Sequence, residues 1–274
     1  MSRRIHIVGT SARSGTTLMM QLLVNCFAID KHCHHEQHIF RGTRPDYHIY
    51  CSKHPADIDG AGALLAVDPD LWIICMVRDP RDTVVSKHKR FPDMYWGANL
   101  GQWKKSYRIA ERLAGHPRFF TVRYESLVSD PNRAQTELMR GMPFLRKRAD
   151  FSQFHQVARP TSWRAERALG GVRPITTRSI GAWRAHKPRL AAQLALHGDI
   201  SDELVELGYE KDDAWLRELD GVAPDNGHSY MSDQVSAAAT VRHTVWRYAS
   251  IGRYALALMK QRAVEQWHAT RQPQ

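Results

Sequence analysis

The stretch RIHIVGTSARSGTTLMMQLLVNCF, residues 4–27, sets a short apolar run at Ile5, Ile7 and Val8 before Gly9. A polar loop follows, and then helical spacing at Leu18, Met19, Leu22, Leu23 and Cys26. The reading is strand, loop, helix. The pattern returns at LWIICMV, residues 71–77, a composition that suits a strand buried on both faces, followed by RDPRDTVVS, residues 78–86, which leads into a helix containing Val84 and Val85. A third buried strand is expected at RFFTV, residues 118–122. It follows a helix over about 98–113 and precedes the turn Ser129-Asp130-Pro131, which opens another helix.

Strands alternating with helices predict an α/β fold. The expected architecture is a P-loop-like three-layer fold, with a central mostly parallel sheet and helices on both faces. With 274 residues the chain has room for one large domain, expected over 1–219. Gly, Pro, Asn and Asp cluster over 220–234 and mark a linker, and 235–274 reads as a basic, amphipathic helical extension. Its apolar stripe is expected to hold Val241, Val245, Tyr248, Ala255 and Leu258, with Arg242, Arg247, Arg253, Lys260 and Arg262 around them. Between 146 and 187 the chain is rich in Arg and irregular, which suggests a loop closing over a site.

The formal net charge of +11 favours anionic partners. No apolar run reaches the roughly 18–20 residues needed to span a bilayer, and the start MSRRIHIVGT enters a strand pattern without a signal-peptide core. A cytoplasmic location is therefore expected, with peripheral contact to anionic membrane open through the basic helix and docking of that helix on its own domain or in a dimer as the equal alternative. Homo-oligomerisation is equally open. Cys26, Cys33, Cys51 and Cys75 form no CxxC pair, so no disulfide framework is expected. Cys33, His34 and His35, with His32 and His38 nearby, fit no structural zinc spacing, and no metal site is expected.

TSARSGTT, residues 10–17, lies between strand and helix, where backbone N–H groups and the helix dipole converge on an anion. The nucleoside-triphosphate P-loop would need Gly where Thr10 stands and Lys where Thr16 stands. A nucleotide kinase is disfavoured on that ground. Arg13 supplies a cation just ahead of Ser14 and Gly15 instead. RSGTTL resembles the 5'-phosphosulfate loop of sulfotransferases that use 3'-phosphoadenosine 5'-phosphosulfate (PAPS), and its Arg form looks like the tyrosylprotein sulfotransferase branch. The resemblance implies donor contacts from Ser11, Ala12, Arg13, Ser14, Gly15, Thr16 and Thr17.

Arg78, at a strand end, and Ser86, eight residues later, resemble the family's 3'-phosphate site. Their position suits the crevice at the carboxyl ends of strands where open α/β sheets bind ligands. An ion pair of Arg78 with Asp79 or Asp82 is the plain alternative. Tyr124, in YESL, looks like a segment that flanks the nucleotide. RSIGAWR, residues 178–184, resembles the family's basic segment that closes over the nucleotide. That makes Arg178 a second candidate 3'-phosphate contact and Ser179 a candidate near the reacting group.

Sulfuryl transfer to a hydroxyl needs a base for the acceptor proton and cations for the charge that grows on the leaving group. Arg13 is the candidate at the leaving 5'-phosphate. SKHP, residues 52–55, resembles both a segment whose lysine reaches the scissile bridge and one whose histidine is the base, so Lys53 and His54 are both candidates. Glu36 occupies the place of the tyrosylprotein branch's glutamate base and is preferred to His54. The resemblance thus implies a sulfotransferase with PAPS as donor, adenosine 3',5'-bisphosphate (PAP) as product and no metal requirement. The acceptor would be a glycan, a tyrosyl peptide or a small alcohol. A basic nucleic-acid-binding module is the rival reading, and it leaves the paired phosphate motifs unexplained, so no nucleic-acid partner is expected.

Overall fold

The computed structural model describes residues 2–41, 47–231 and 236–269. Five parallel strands form its sheet: β1 (Arg3–Gly9), β2 (Lys31–His32), β3 (Ile49–Lys53), β4 (Leu71–Val77) and β5 (Phe119–Arg123), in the order β2-β3-β1-β4-β5. Parallel strands need crossovers, and these are supplied by α1 (Thr16–Cys26), α2 (Ala61–Val67), α3 (Pro80–Val84) and α4 (Leu100–Leu113). After β5 come α5 (Tyr124–Ser129), α6 (Pro131–Gly141), α7 (Phe154–Val157), α8 (Trp163–Leu169), α9 (Lys187–His197) and α10 (Ser201–Glu206). The long α11 (Ala237–Ala269) follows.

The period-two alternation of the strands divides the core. Ile5, Ile7, Cys51, Ile74 and Met76 pack with α1, α6 and the turn at Phe151 on one face. Val8, Tyr50, Ile73, Cys75 and Val77 pack with α2, α4 and α11 on the other. The expected three layers are present. The sequence reading had found β1, β4 and β5 but not β2 and β3, and β3 places Lys53 at its last position beside Ile7 of β1. All four cysteines are buried free thiols.

Two expectations need correction. The stretch 146–187 is less irregular than its composition suggests, because it holds α7, α8 and a 3₁₀ turn at Ala182–His186. The stripe expected on the last helix is split: Leu258 lies on a docked face with Ile251 and Tyr254, whereas Val241, Val245 and Tyr248 are exposed. The helix is therefore fastened to the sheet's second face, and burial of Ile251 and Leu258 contributes about 1.5–3 kcal/mol each. The segment before it runs along the domain, with Tyr95 N–H donating to His228 and Tyr230 N–H donating to Tyr95. The end of the expected linker, 232–234, and the ends of the expected extension, 235 and 270–274, lie outside the described residues. No helix among the described residues is long and apolar enough to cross a membrane.

Candidate active site

The loop between β1 and α1 is tied shut by Ser14, whose hydroxyl donates to the Ser11 carbonyl at 2.9 Å and accepts from the Ser11 N–H at 3.1 Å. This winding turns Arg13 to φ +73°, and it has the only positive φ outside glycine among the described residues. Gly15 follows at φ +94° as the N-cap of α1. A Cβ on Gly15 would sit 2.5 Å from the Tyr124 ring, so the position is a cradle only glycine leaves open. Thr16 and Thr17 open α1, whose first N–H groups have no partner within the helix.

Arg13 Nε donates to Ser86 Oγ at 2.9 Å, and Arg78 donates to the Arg13 carbonyl at 3.1 Å. Arg78 also donates to the Ser179 carbonyl at 2.9 Å and lies over the Tyr124 ring at 4.5 Å. Tyr124 and Ser179 hydroxyls meet at 2.8 Å. Five residues nominated from four segments thus form one assembly. The alternative for Arg78 fails, since Asp79 binds Arg81 and Asp82 accepts from the Gly181 and Trp183 N–H groups. Neither Arg13 nor Arg78 has a carboxylate ion-pair partner among the described residues. Burial, reinforced by the charge of Arg78, holds the Arg13 guanidinium below its ordinary pKa. Arg78 Nε is buried and without a hydrogen-bond partner. Two cations so placed suit an anion between strand ends and α1.

Lys53 is 1% exposed, and its ammonium donates to Glu36 Oε1 at 2.7 Å. Burial works to raise the Glu36 carboxyl, but the Lys53 charge and hydrogen bond outweigh it and leave it below the usual range. Glu36 borders the main crevice, while His54 lines a neighbouring cavity of about 530 Å³ together with Glu36, Gln37, His38 and Arg41. His54 Nδ1 faces Asp57 at 3.3 Å.

The main crevice has a volume of about 1100 Å³ and is lined by Ala12, Arg13, Gly15, Thr16, Thr17, Glu36, Arg78, Ser86, Tyr124, Arg178 and Ser179. Ser11 is buried under the loop and Ser14 is fully enclosed, so their part is to shape the loop, not to line its opening. The sequence reading missed the further cations of the lining, Lys87, Lys89, Arg90, Arg164, Arg167 and Arg173, which share it with the carboxylates of Glu36 and Asp82. It also missed Asp82 as the anchor of the 178–184 segment, because its partners lie some hundred residues away. Burial and then Asp79 push the Asp82 carboxyl up to about 6.

Residues 28–144 match the model of the sulfotransferase family. That stretch carries Glu36, Lys53, Arg78, Ser86 and Tyr124, while the 10–17 loop precedes it. No curated protein matches the sequence. Among solved structures, the sulfotransferase domain of the Synechococcus PCC 7002 olefin synthase is 14% identical, with 67% of this chain and 88% of that one aligned at a TM-score of 0.40. The sulfotransferase domain from the curacin biosynthetic pathway is 12% identical over 68% of this chain and 97% of its own, TM-score 0.39. Retinol dehydratase, in complex with androsterone and inactive cofactor PAP, is 11% identical over 80% and 81%, TM-score 0.39.

Proposed function

We propose that this chain, a PAPS-dependent sulfotransferase, holds its donor on the 10–17 loop and the Arg78–Ser86 turn and delivers the sulfuryl group to a hydroxyl placed beside Glu36. The observation that carries this reading is the pairing of Arg13 and Arg78, adjacent cations at the carboxyl ends of β1 and β4 with no carboxylate partner among the described residues. Gly15 and the unpaired Arg78 Nε support the fit of a nucleotide there. Ser11, Ala12, Ser14, Thr16 and Thr17 would build the 5'-phosphate cradle, and Arg78, Ser86 and Arg178 would take the 3'-phosphate. Tyr124 would flank the nucleotide. PAPS, when bound, supplies the sulfuryl group and leaves as PAP.

Within that frame Arg13 neutralises charge at the 5'-phosphate, and Lys53, which is buried, pairs with Glu36 and does not line the crevice, would have to turn from that pair to reach the bridge to the leaving group. Ser179, held by Tyr124, lines the crevice. Glu36 accepts the acceptor proton. A carboxylate held down by Lys53 is a weak base, so it takes that proton late, as the acceptor oxygen becomes acidic. The reading assigns no role to a metal in the transfer.

Lys87, Lys89, Arg90, Arg164, Arg167 and Arg173 lie beyond the nominated donor contacts, and none has a carboxylate ion-pair partner among the described residues. This lip supports an anionic acceptor, a sulfated or uronic-acid glycan or an acidic peptide, over a neutral alcohol. On α11, exposed Val241, Val245, Tyr248, Leu256 and Met259, flanked by exposed Arg242, Arg253 and Lys260, support peripheral contact with anionic membrane.

Calorimetric titration with PAP, AMP and ATP, without added metal, tests the donor site. Binding that depends on the 3'-phosphate is expected. Equal affinity for AMP and PAP would overturn the reading.

A further inference from the structure

Beside the crevice, and independent of the sulfotransferase reading, two imidazoles converge on one oxygen of Asp57. Asp57, 1% exposed in the 3₁₀ turn Pro55–Gly60, presents Oδ1 to His38 Nδ1 at 2.6 Å and to His54 Nδ1 at 3.3 Å. The ligand atoms of all three lie within 4.8 Å of one another. His54 Nδ1 is buried and makes no hydrogen bond of acceptable geometry, so it is aimed at this point without a partner that satisfies it.

We infer that His38, His54 and Asp57 form a binding site for a zinc-class divalent metal ion. Two imidazoles and a carboxylate are a donor set suited to such an ion, and three protein ligands leave a fourth position open. In a tetrahedral site with bonds near 2.0–2.1 Å the ligand atoms stand about 3.3 Å apart. The His54–Asp57 distance already has that value, and the His38 contact has to open from 2.6 Å. The open position would face the cavity of about 530 Å³ bordered by Glu36, Gln37 and Arg41.

The ligands are supported as a built site requires. His6 is fully buried in β1, with Nε2 on Asp57 Oδ2 at 3.0 Å and Nδ1 on Ser52 Oγ at 2.8 Å. A carboxylate only accepts, so His6 donates from Nε2, and the Ser52 hydroxyl donates to Nδ1. This chain fixes the Asp57 carboxylate plane from behind and leaves Oδ1 for the ion. His38 is stacked on Phe40 at 4.8 Å and meets the edge of Trp246, from α11, at 5.0 Å. The sequence reading rejected zinc because it weighed only the histidines near Cys33, whereas the ligands come from the segment before β3, from its end and from the turn beyond.

The test is titration of the full, chelator-treated chain with Co²⁺, read by visible d–d absorption, followed by displacement with Zn²⁺. One Co²⁺ per chain with bands of a four-coordinate ion is expected. His38→Gln and His54→Asn should each weaken binding by more than tenfold, and His6→Gln by about 10–100-fold. No saturable binding, or binding unchanged in both ligand variants, would overturn the site. X-ray absorption of the zinc-loaded wild-type chain does not depend on the variants folding. Two imidazoles and one carboxylate would support the site, and a sulfur ligand would refute it.

Discussion

Arg13 Nε donates to Ser86 Oγ at 2.9 Å, a bond spanning the loop after β1 and the turn after β4. The two phosphate motifs are therefore parts of one surface, and damage to either arginine is felt by both. Their losses should still differ, because Arg13 belongs to the loop beside the reacting group and Arg78 to the other end of the proposed donor.

Arg13→Ala is expected to lower kcat by at least about 100-fold. Arg78→Ala should weaken PAP binding by about 10–100-fold, the loss of a charge-assisted contact of about 1.5–3 kcal/mol, and leave kcat at saturating donor nearly intact. Calorimetry and steady-state rates on the two variants separate these outcomes. Wild-type turnover and affinity in both would show that the site has been misassigned.

Glu36→Gln should lose turnover with PAP affinity kept, and His54→Asn should keep turnover. Lys53 holds the Glu36 pKa down, so Lys53→Met should raise it and move the acid limb of the pH–rate profile upward, besides lowering kcat. An acid limb that stays in place would remove Glu36 as the base.

The buried Asp82 carboxyl titrates near 6, above its unfolded value of 3.8. Its contribution to stability is fully present below the unfolded value and is lost as pH rises through about 6. Asp82→Asn removes that dependence, worth on the order of 3 kcal/mol across the window. Melting curves should show the wild type gaining on the variant as pH falls from 7 to 4. Donor affinity of the variant should drop, since Gly181 and Trp183 donate to different oxygens of Asp82 and the Asn amide would set an NH2 donor against one of them.

Lys89→Ala combined with Arg167→Ala should raise KM for an anionic acceptor by about tenfold or more, with PAP affinity kept and little effect on a neutral alcohol of similar size. Rates on a charged and an uncharged acceptor series decide this. A uniform loss over both series would point to donor contacts instead.

Leu256→Asp with Met259→Asp on the exposed face of α11 should abolish sedimentation with anionic liposomes at low salt, without lowering the melting temperature. Equal sedimentation of wild type and variant would remove the membrane reading.

Local motifs made much of this legible. β1, β4 and the 10–17 loop could be read because their apolar runs and turn residues sit together in the chain. β3 was hidden because Ser52 and Lys53 look like surface residues, and their burial is satisfied only across space, by His6 and Glu36. The same distance in sequence hid Asp82 from its partners and His38 from Asp57. The last helix misled for a different reason. Apolar residues lie on more than one side of it, so a period of 3.6 alone could not say that Ile251, Tyr254 and Leu258 were the face that docks.

That docking ends in a bond with temporal meaning. The Tyr254 hydroxyl donates to Asp68, the fully buried carboxylate already held by Arg4 from the start of β1. Ile58, Leu64 and Leu65 pack in the same cluster as Ile251 and Leu258. A chain still emerging from the ribosome can pair β1 with β4 long before that lid exists. Until residue 258 is clear of the exit tunnel, the half-made domain carries an uncovered apolar patch beside a carboxylate that lacks its last partner, the kind of surface that makes partly folded chains prone to association.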